Sequence, residues 1–302
     1  MKKVIALILA FLLIPCVLVS CDIGSNENNE PTEAPVEELS FDLNDDGKGY
    51  TLDSIGTFTG TEIIVPETYK GLPVTKVGGY ALRNKTHITK VVLPDTVKYI
   101  GTNAFVNCSS LKSITLGAEL KEISSNVFTG CKALTEVYFA GTMEQWCNIH
   151  IIGGNSNPTF FSESLKMKNE EGEYEELTSI VIPDGITEIK ENLFYNLTSV
   201  TSVVFPEDLQ TIGDHAFSGC SGINTLVTIP ATVTHIGVGA FSGCTSLTEV
   251  EFMNVKDWLL ATSSADKGGA LLKDNISDNV SAAKVLTETR SVNYWNKASR
   301  SN

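Results

Sequence analysis

The sequence predicts a solenoid, in which coils of about 23 residues stack and place equivalent short strands side by side in a parallel ladder. The repeating stretch runs from Val97 to Gly117. Its Ile-Gly position recurs at steps of 23, 23, 66, 23 and 24 residues, at Val77, Ile100, Ile123, Ile189, Ile212 and Ile236. A coil this short cannot bury its own apolar face, so each coil is expected to depend on its neighbours for stability.

The end of each repeat alternates apolar and polar residues, as Ile114-Thr115-Leu116 does, and this alternation predicts a strand. Stacked in register, equivalent strands lie about 4.8 Å apart. Their outward residues are expected to form one row: Val92, Thr115, Tyr138, Val204, Thr228 and Glu251. Strand preference alone also selects β-branched residues for such a row.

Two buried columns are predicted inside the stack. Phenylalanine occupies one equivalent position in five coils, at Phe105, Phe128, Phe194, Phe217 and Phe241. Another position holds Cys108, Cys131, Cys220 and Cys244 in four coils and Leu197 in a fifth. A position that accepts Cys or Leu is a small apolar core site, so free, buried thiols are the favoured interpretation. The alternative is disulfide formation, since neighbouring coils bring such cysteines within disulfide range.

The pattern I-P-x-x-V-x-x-I-G-x-x-A-F-x-x-C-x-x-L, which Ile229 to Leu247 match throughout, resembles the leucine-rich repeats of BspA-like bacterial surface proteins. The resemblance spans roughly Leu39 to the C-terminus. It implies a leucine-rich-repeat solenoid of the α/β horseshoe-like class, rich in strands and with short helical turns. It also implies adhesion or surface recognition by a non-catalytic binding module.

The N-terminus predicts export and attachment to a membrane. Residues 1–20 begin with two lysines after Met1 and continue with an apolar run from Val4 to Val19, which is short for a membrane span but typical of a signal peptide. The segment Leu18-Val19-Ser20-Cys21 resembles a bacterial lipoprotein cleavage site, so Cys21 is the predicted lipid anchor at the bacterial cell surface. The alternative is a simple signal peptide followed by a chance cysteine.

Residues 21–39 contain six acidic residues and no Lys or Arg, which predicts a disordered acidic tether. The whole chain carries a formal charge of −14, and loss of residues 1–20 would take this charge to −16. Such an acidic chain argues against nucleic acid as a partner and against docking on anionic lipid through surface charge.

Residues 40–71 are predicted to form an N-terminal cap. Segments Leu39 to Leu43 and Tyr50 to Ile55 are expected strands, joined by the turn Asn44-Asp45-Asp46-Gly47. The same residues partly match a calcium loop, whose ligands would include Asp42, Asn44, Asp46 and Asp53. Such loops carry an aliphatic residue where this chain has Gly49, and no helical pattern flanks the loop, so the plain turn is favoured.

The solenoid is predicted over residues 72–252, with an insertion at residues 140–177 inside the 66-residue step. We expect the insertion to continue the stack and to carry a protrusion. Met143 to Cys147 is predicted to form a helical turn. Leu165 to Asn169 and Tyr174 to Ile180 are predicted to form a hairpin.

Residues 253–302 lose the repeat and are predicted to form a C-terminal cap, because an open solenoid end would expose its apolar core. Trp258 and the pair Tyr294-Trp295 are expected to cover the last coil. Residues 277–287 are predicted to form a short helix with an N-terminal cap.

Aromatic residues in and beside the insertion are the candidate binding residues. They are Tyr138, Trp146, Phe160 and Phe161. Aromatic side chains on a protruding segment can stack on sugars or anchor a protein partner. The alternative is that these aromatic residues fix the insertion onto the stack. This alternative is favoured because Trp258 follows Phe252 much as Trp146 follows Phe139.

The sequence offers no pattern of catalytic chemistry. It contains no G-x-S-x-G elbow, phosphate loop or H-E-x-x-H helix, and no cysteine pair has the C-x-x-C spacing of zinc ligands. The four histidines are expected to be solvated surface groups. The sequence therefore predicts no enzyme, cofactor or metal, and an extracellular protein as partner. An extracellular glycan, a passive spacer and an enzyme with a carboxylate pair formed in three dimensions are the open alternatives.

Overall fold

The computed structural model describes residues 38–254, 258–261, 286–287 and 294–297, all within one compact unit. The predicted signal peptide, the predicted anchor Cys21 and almost all of the predicted tether lie outside the described residues. So does most of the helix predicted at residues 277–287, of which the described Leu286 and Thr287 are helical.

The described strands are, in chain order, β1 (Ser40–Leu43), β2 (Tyr50–Ser54), β3 (Glu62–Ile64), β4 (Thr68–Tyr69), β5 (Leu72–Val77), β6 (Lys90–Val92), β7 (Tyr99–Ile100), β8 (Ser113–Leu116), β9 (Glu122–Ile123), β10 (Glu136–Phe139), β11 (His150–Ile151), β12 (Lys166–Lys168), β13 (Tyr174–Glu176), β14 (Ser179–Val181), β15 (Glu188–Ile189), β16 (Ser202–Val204), β17 (Thr211–Ile212), β18 (Val227–Ile229), β19 (His235–Ile236), β20 (Val250–Phe252), β21 (Trp258–Ala261) and β22 (Tyr294–Lys297). The helical segments are α1 (Met143–Cys147), a 3₁₀ turn (Gly154–Ser156) and α2 (Thr159–Ser162).

The strands at the end of each repeat form the predicted parallel ladder, here called the ladder side. Its first sheet has the order β13-β12-β10-β8-β6-β3. Val92 pairs with Thr115, and Thr115 pairs with Tyr138. Strand β14 pairs with β16, and β18 with β20, in the equivalent register. The predicted register of the outward row is therefore confirmed within each sheet.

The ladder is nevertheless divided into three sheets. The first division falls at the insertion, where the antiparallel strand β13 ends the first sheet. The second falls between β16 and β18, where the repeat is 24 residues long instead of 23. We attribute this second division to the additional residue, which displaces β18 from the register that pairing with β16 requires.

The strands at the Ile-Gly position form the opposite face, here called the short-strand side. Its two sheets have the orders β1-β2-β5-β7-β9-β11 and β15-β17-β19-β22-β21. The first begins with the antiparallel pair β1 and β2, as predicted for the cap strands. The second ends with β22, antiparallel to β19, and with β21, antiparallel to β22. The described C-terminal strands thus extend the sheet beyond the last coil.

The predicted phenylalanine column lies in the core. The rings of Phe105 and Phe128 stack with centres 5.4 Å apart and planes 8° from parallel. The Phe217 ring stacks between Phe194, at 5.2 Å, and Phe241, at 5.3 Å. All five side chains are fully buried. This arrangement confirms that equivalent side chains of adjacent coils lie one above the other.

Two positions of each coil adopt the left-handed backbone conformation. The first is held by Tyr80, Asn103, Asn126, Asn192, His215 and Gly239, and the second by Asn84, Asn107, Gly130, Asn196, Gly219 and Gly243. Asn and Gly tolerate a positive φ better than other residues do. These two positions let the chain change direction on either side of the buried core residue. The spacing of apolar residues alone does not reveal the two turns.

The glycine of the Ile-Gly position is required by the close approach of adjacent coils. A Cβ atom on Gly101 would lie 2.6 Å from the backbone nitrogen of Gly79, and one on Gly213 would lie 2.6 Å from that of Glu191. Both neighbours are backbone atoms, which cannot move aside as a flexible side chain can. The motif therefore reflects backbone contact between coils.

The insertion completes one further coil, and its hairpin of β12 and β13 ends the first ladder sheet. Helix α1 coincides with the predicted helical turn and is capped by Thr142, whose Oγ1 accepts a hydrogen bond from Gln145 N while Gln145 Oε1 accepts one from Thr142 N. Strand β11 pairs with β9, and β12 with β10, so the stack continues. Strands β12 and β13 form the predicted hairpin. Its second strand ends at Glu176 rather than Ile180, because Ser179 already begins the next ladder strand.

No helix among the described residues has both the length and the hydropathy that a membrane span requires.

Candidate functional site

Tyr138 lies on the outward side of β10, and its ring is half-buried. Lys166 stands opposite it in the pairing of β10 with β12. The Lys166 Nζ lies 5.0 Å from the centre of the Tyr138 ring and donates a 3.4 Å hydrogen bond to the Tyr138 hydroxyl. The same Nζ lies 3.7 Å from Glu136 Oε1. Tyr138 is therefore held in one orientation by the hairpin of the insertion.

The hairpin adds a second tyrosine and a second lysine to this surface. Tyr174 meets Tyr138 edge to face, with ring centres 5.0 Å apart and planes at 72°. The Lys168 Nζ lies 5.6 Å from the centre of the Tyr174 ring. Each ammonium group thus lies over one aromatic ring, an arrangement that stabilises both. Tyr138, Lys166, Lys168 and Tyr174 are called the tyrosine–lysine cluster below.

The surroundings set the charge of two members of the cluster. Burial raises the pKa of Tyr174 above its usual value. Burial acts to lower the pKa of Lys166, but the hydrogen bond to Tyr138 and the nearby carboxylates of Glu136 and Glu176 together raise it. At neutral pH the cluster accordingly presents a neutral phenol at Tyr174 and a cation at Lys166.

Two valines continue the outward position of the ladder beyond the insertion. Val181 on β14 and Val204 on β16 pair with each other and are 57% and 54% exposed. Beside them the hydroxyl groups of Ser179 and Ser202 share a 2.7 Å hydrogen bond. The ladder side therefore carries an exposed apolar pair with a polar border.

Trp146 is fully buried and does not face solvent. Its Nε1 donates a 3.2 Å hydrogen bond to the carbonyl oxygen of Leu193 in the following coil. Its ring meets Phe139 edge to face at 5.1 Å. These contacts match the alternative in which the aromatic residues fix the insertion onto the stack, and they leave Trp146 inaccessible to a partner.

Phe160 and Phe161 are partly buried at the junction with the next coil. The Phe160 ring stacks on Tyr195 at 5.5 Å and meets Phe161 edge to face at 4.9 Å. The Phe160 carbonyl oxygen accepts a 3.1 Å hydrogen bond from Asn196 Nδ2. Phe161 packs against the core. Their contacts also join the insertion to the stack, so Tyr138 is the candidate whose environment best suits binding.

Asn157, which joins the insertion to the next coil, is not a residue that the aromatic pattern identifies. It is fully buried, and its Nδ2 donates a 2.7 Å hydrogen bond to the carbonyl oxygen of Asn192. Its Oδ1 accepts a 2.7 Å hydrogen bond from Thr159 Oγ1. The Asn-Pro pair at residues 157 and 158 indicates a turn in the sequence but gives no sign of this distant partner.

The residues of the calcium alternative serve the turn of the N-terminal cap. The Asn44 side chain donates to Thr75 Oγ1 at 2.9 Å and accepts from Thr51 Oγ1 at 2.7 Å. Asp46 Oδ1 accepts a 3.0 Å hydrogen bond from the backbone nitrogen of Lys48. These bonds favour the plain turn. In the part of the chain that the structure describes, no group of three His, Cys, Asp or Glu residues is arranged to hold a metal ion.

The cysteines of the described residues are free and buried, as the apolar-column interpretation predicts. Each thiol of the column donates a hydrogen bond to a carbonyl oxygen of the preceding coil, as Cys131 Sγ does to Phe105 at 3.1 Å. Burial raises the pKa of Cys108 to about 11 and the pKa values of Cys131, Cys147 and Cys220 to about 12.

These thiols predict a loss of stability at alkaline pH. The ordinary thiol pKa of 9.0 rises to about 12 for Cys131 in the folded protein. Between these values the unfolded chain has released a proton that the folded chain retains, so the free energy of unfolding falls as pH rises above about 9. Urea melts at increasing pH measure this decline. We expect Cys131→Ala to make the free energy of unfolding fall less steeply with pH, by about 1 kcal/mol per pH unit. An unchanged pH dependence would contradict the assignment of Cys131 as a buried free thiol.

The fold and its surface define a class of protein: a strand-rich, leucine-rich-repeat solenoid with coils of about 23 residues. The family profile described as BspA type Leucine rich repeat region matches residues 57–152 and 167–259 in six copies. This match covers more than half of the chain, and the chain belongs to that family. The resemblance to BspA-like repeats is thus confirmed, while the lipoprotein assignment stays a prediction.

Solved structures of bacterial leucine-rich-repeat proteins are similar to this chain. The leucine-rich-repeat protein of T. pallidum is 25% identical, with a TM-score of 0.50 over 71% of this chain and 90% of that chain. A leucine rich cell surface protein from Faecalibacterium prausnitzii is 26% identical, with a TM-score of 0.45 over 76% of this chain and 56% of that chain. A protein from Bacteroides ovatus is 22% identical, with a TM-score of 0.45 over 68% and 55%. This chain matches little more than half of the latter two proteins. No curated protein sequence matches it.

Proposed function

We propose that this protein is a lipid-anchored, non-catalytic module of the bacterial cell surface that binds protein partners through its ladder side. The tyrosine–lysine cluster carries the proposal. Tyrosine is enriched among the residues that contribute most to protein interfaces, because a rigid ring offers a large contact area at a low cost in entropy. Tyr138 is already held by Lys166 and Tyr174, so little further ordering is needed on binding.

The exposed valines support the same face. Val181 and Val204 present an apolar surface that the fold itself does not cover. An apolar area with a polar border is typical of a protein-binding surface. Because both valines occupy the same outward position as Tyr138, a partner could approach all of them from the ladder side.

The sequence of the N-terminus supports the membrane anchor. A lipidated Cys21 followed by an acidic tether would hold the solenoid away from the membrane, where its ladder side is accessible. Two or more acyl chains on one cysteine anchor a protein stably, whereas a single chain does not. Family membership supports a surface role, since such repeats form extended binding faces.

Photo-crosslinking on intact cells tests the proposal. A photoreactive residue in place of Val204 is expected to capture a discrete extracellular protein, whereas one in place of the exposed Lys132 is not. In the same assay Tyr138→Ala should reduce capture about tenfold without lowering the melting temperature by more than a few degrees. Equal capture from positions 204 and 132 would refute the assignment of the face.

The same cultures test the anchor. The wild-type protein is expected in the membrane fraction, and Cys21→Ser is expected to lose its lipid and its membrane attachment. If the variant and the wild type distribute identically, Cys21 is not the anchor, and this result leaves the test of the ladder side unaffected.

A further inference from the structure

The short-strand side of the first coils carries basic residues that the proposed ladder-side interaction does not use. We propose that this side binds an extended anionic polysaccharide, whose carboxylate or sulfate groups contact lysines and whose sugar rings stack on a tyrosine. The site is called the basic groove and is formed around Lys48, Lys76, Lys98, Tyr99 and Lys121. It does not depend on the proposed function.

Two adjoining depressions make up the basic groove. The first has a volume of about 610 Å³, and its lining includes Lys48, Lys76 and Tyr99. The second has a volume of about 520 Å³, and its lining includes Lys121. Lys98 lines both, so the two depressions lie next to each other. A ligand longer than one sugar residue can therefore occupy both at once.

The lysines of the groove are only partly compensated by carboxylates. Glu119 Oε2 lies 3.2 Å from the Nζ of Lys98. In residues 38–254, which contain the whole groove, Lys48, Lys76 and Lys121 are joined to no carboxylate by an ion pair. All three are exposed. In a chain with 36 acidic and 22 basic residues, such a group of cations favours an anionic ligand.

Two acidic side chains at the groove, Asp46 and Glu122, accept hydrogen bonds from the protein itself. Asp46 Oδ1 accepts a hydrogen bond from the backbone nitrogen of Lys48 at 3.0 Å. Glu122, which is paired with Tyr99 across β7 and β9, accepts a 2.9 Å hydrogen bond from Ser124 Oγ. These hydrogen bonds orient the two carboxylates and leave their charge in place. The lining still holds four lysines against the two carboxylates of Asp46 and Glu119, so its balance is positive.

Tyr99 provides the surface on which a sugar ring can stack. Its side chain is 41% exposed although it lies on a strand of the stack. Lys76 pairs with Tyr99 in the register of β5 and β7, and its Nζ lies 5.9 Å from the centre of the ring. An exposed aromatic ring with a cation beside it suits an acidic sugar, because the ring contacts the apolar face of the sugar and the ammonium contacts its anionic group.

The spacing of the coils favours a linear polymer. Adjacent strands lie about 4.8 Å apart, which is close to the length of one sugar residue in an extended polysaccharide. Lys98 and Lys121 occupy the same position in adjacent coils, and the backbone nitrogen of Lys121 donates to the carbonyl oxygen of Lys98 at 2.9 Å. Successive anionic sugars could therefore meet successive coils. Duplex DNA is a less suitable ligand, since its dense charge would be repelled by the acidic remainder of the chain.

Binding of defined polymers to the full-length protein tests the proposal. We expect heparin or polygalacturonate to bind saturably at low salt and more weakly at high salt, while neutral dextran does not bind. The variant Lys48→Gln/Lys76→Gln/Lys121→Gln should lose at least about tenfold in affinity, given the strength of exposed charge pairs. Tighter binding of polygalacturonate would identify carboxylate as the preferred group, whereas tighter binding of heparin, which carries both groups, would show that charge density sets the affinity.

A control with the same change in net charge isolates the groove. Lys70→Gln/Lys112→Gln/Lys132→Gln, at exposed positions outside the groove, should leave the affinity within about twofold of wild type. Tyr99→Ala should weaken binding about fivefold and Tyr99→Phe should not. The proposal fails if neither polymer binds, if the two triple variants weaken binding equally, or if duplex DNA binds as tightly as the polysaccharides. Tyr138→Ala should have no effect, so this test and that of the ladder side are independent.

Discussion

Phe217→Ala is expected to lower the free energy of unfolding by about 3 to 5 kcal/mol. The Phe217 ring is fully buried and stacks on Phe194 at 5.2 Å and on Phe241 at 5.3 Å. Phe205 meets its edge at 5.7 Å. Truncation removes contacts with two coils at once. The cavity that results cannot close easily, because the backbones above and below are held apart by the sheets on both sides.

Urea melts followed by circular dichroism measure this loss. Phe205→Ala is the matched control, because it removes the same group from a partly exposed position that contacts the same ring. We expect it to cost less than half as much as Phe217→Ala. A loss below about 1 kcal/mol for Phe217→Ala would contradict the placement of this residue in the column.

The repeat made most of the fold predictable, because a fixed period places like side chains above one another. The stacking of Phe105 on Phe128 and the pairing of Thr115 with Tyr138 follow from a spacing of 23 residues without knowledge of the path between them. Local chemistry made the start of α1 predictable to the residue, since it is fixed by side chains only three positions apart.

The surroundings of the candidate residues were less predictable, because the insertion has no period. The partner of Trp146 is the carbonyl oxygen of Leu193, a contact that depends on the path of the intervening chain. An aromatic residue in a nonrepeating segment looks the same in sequence whether it faces solvent or fills the junction. The sequence predicts the hairpin that brings Tyr174 to Tyr138, but it does not predict that this hairpin packs on the ladder.

The basic groove shows the same limit on the short-strand side. The shared repeat position of Lys98 and Lys121 follows from the period. Lys48, in contrast, belongs to the turn of the N-terminal cap, and only the pairing of β2 with β5 places this turn beside Lys76 and Tyr99. A surface built from a cap and several coils therefore requires the structure.

Deletion of residues 253–302 is expected to make the protein aggregate. Strand β22 pairs with β19, whose edge the deletion would leave open next to His235 and Ile236. Leu286 is 2% exposed and belongs to the hydrophobic core, so the deletion also removes a side chain from that core and exposes its apolar neighbours. An open strand edge beside an exposed core is a template for pairing with a second molecule.

Size-exclusion chromatography with light scattering measures whether the shortened protein aggregates. A truncation after Lys297 is the matched control, because it shortens the chain but retains β21 and β22. We expect the control to elute at the size of the full-length protein, and the larger deletion to elute as aggregates or to be insoluble. The reason is specific to a solenoid: each coil completes the core of its neighbour, so the last coil has no partner unless a segment without the repeat supplies one. A soluble monomer of residues 1–252 would show that the last coil needs no cover, and the cap assignment would then have to be abandoned.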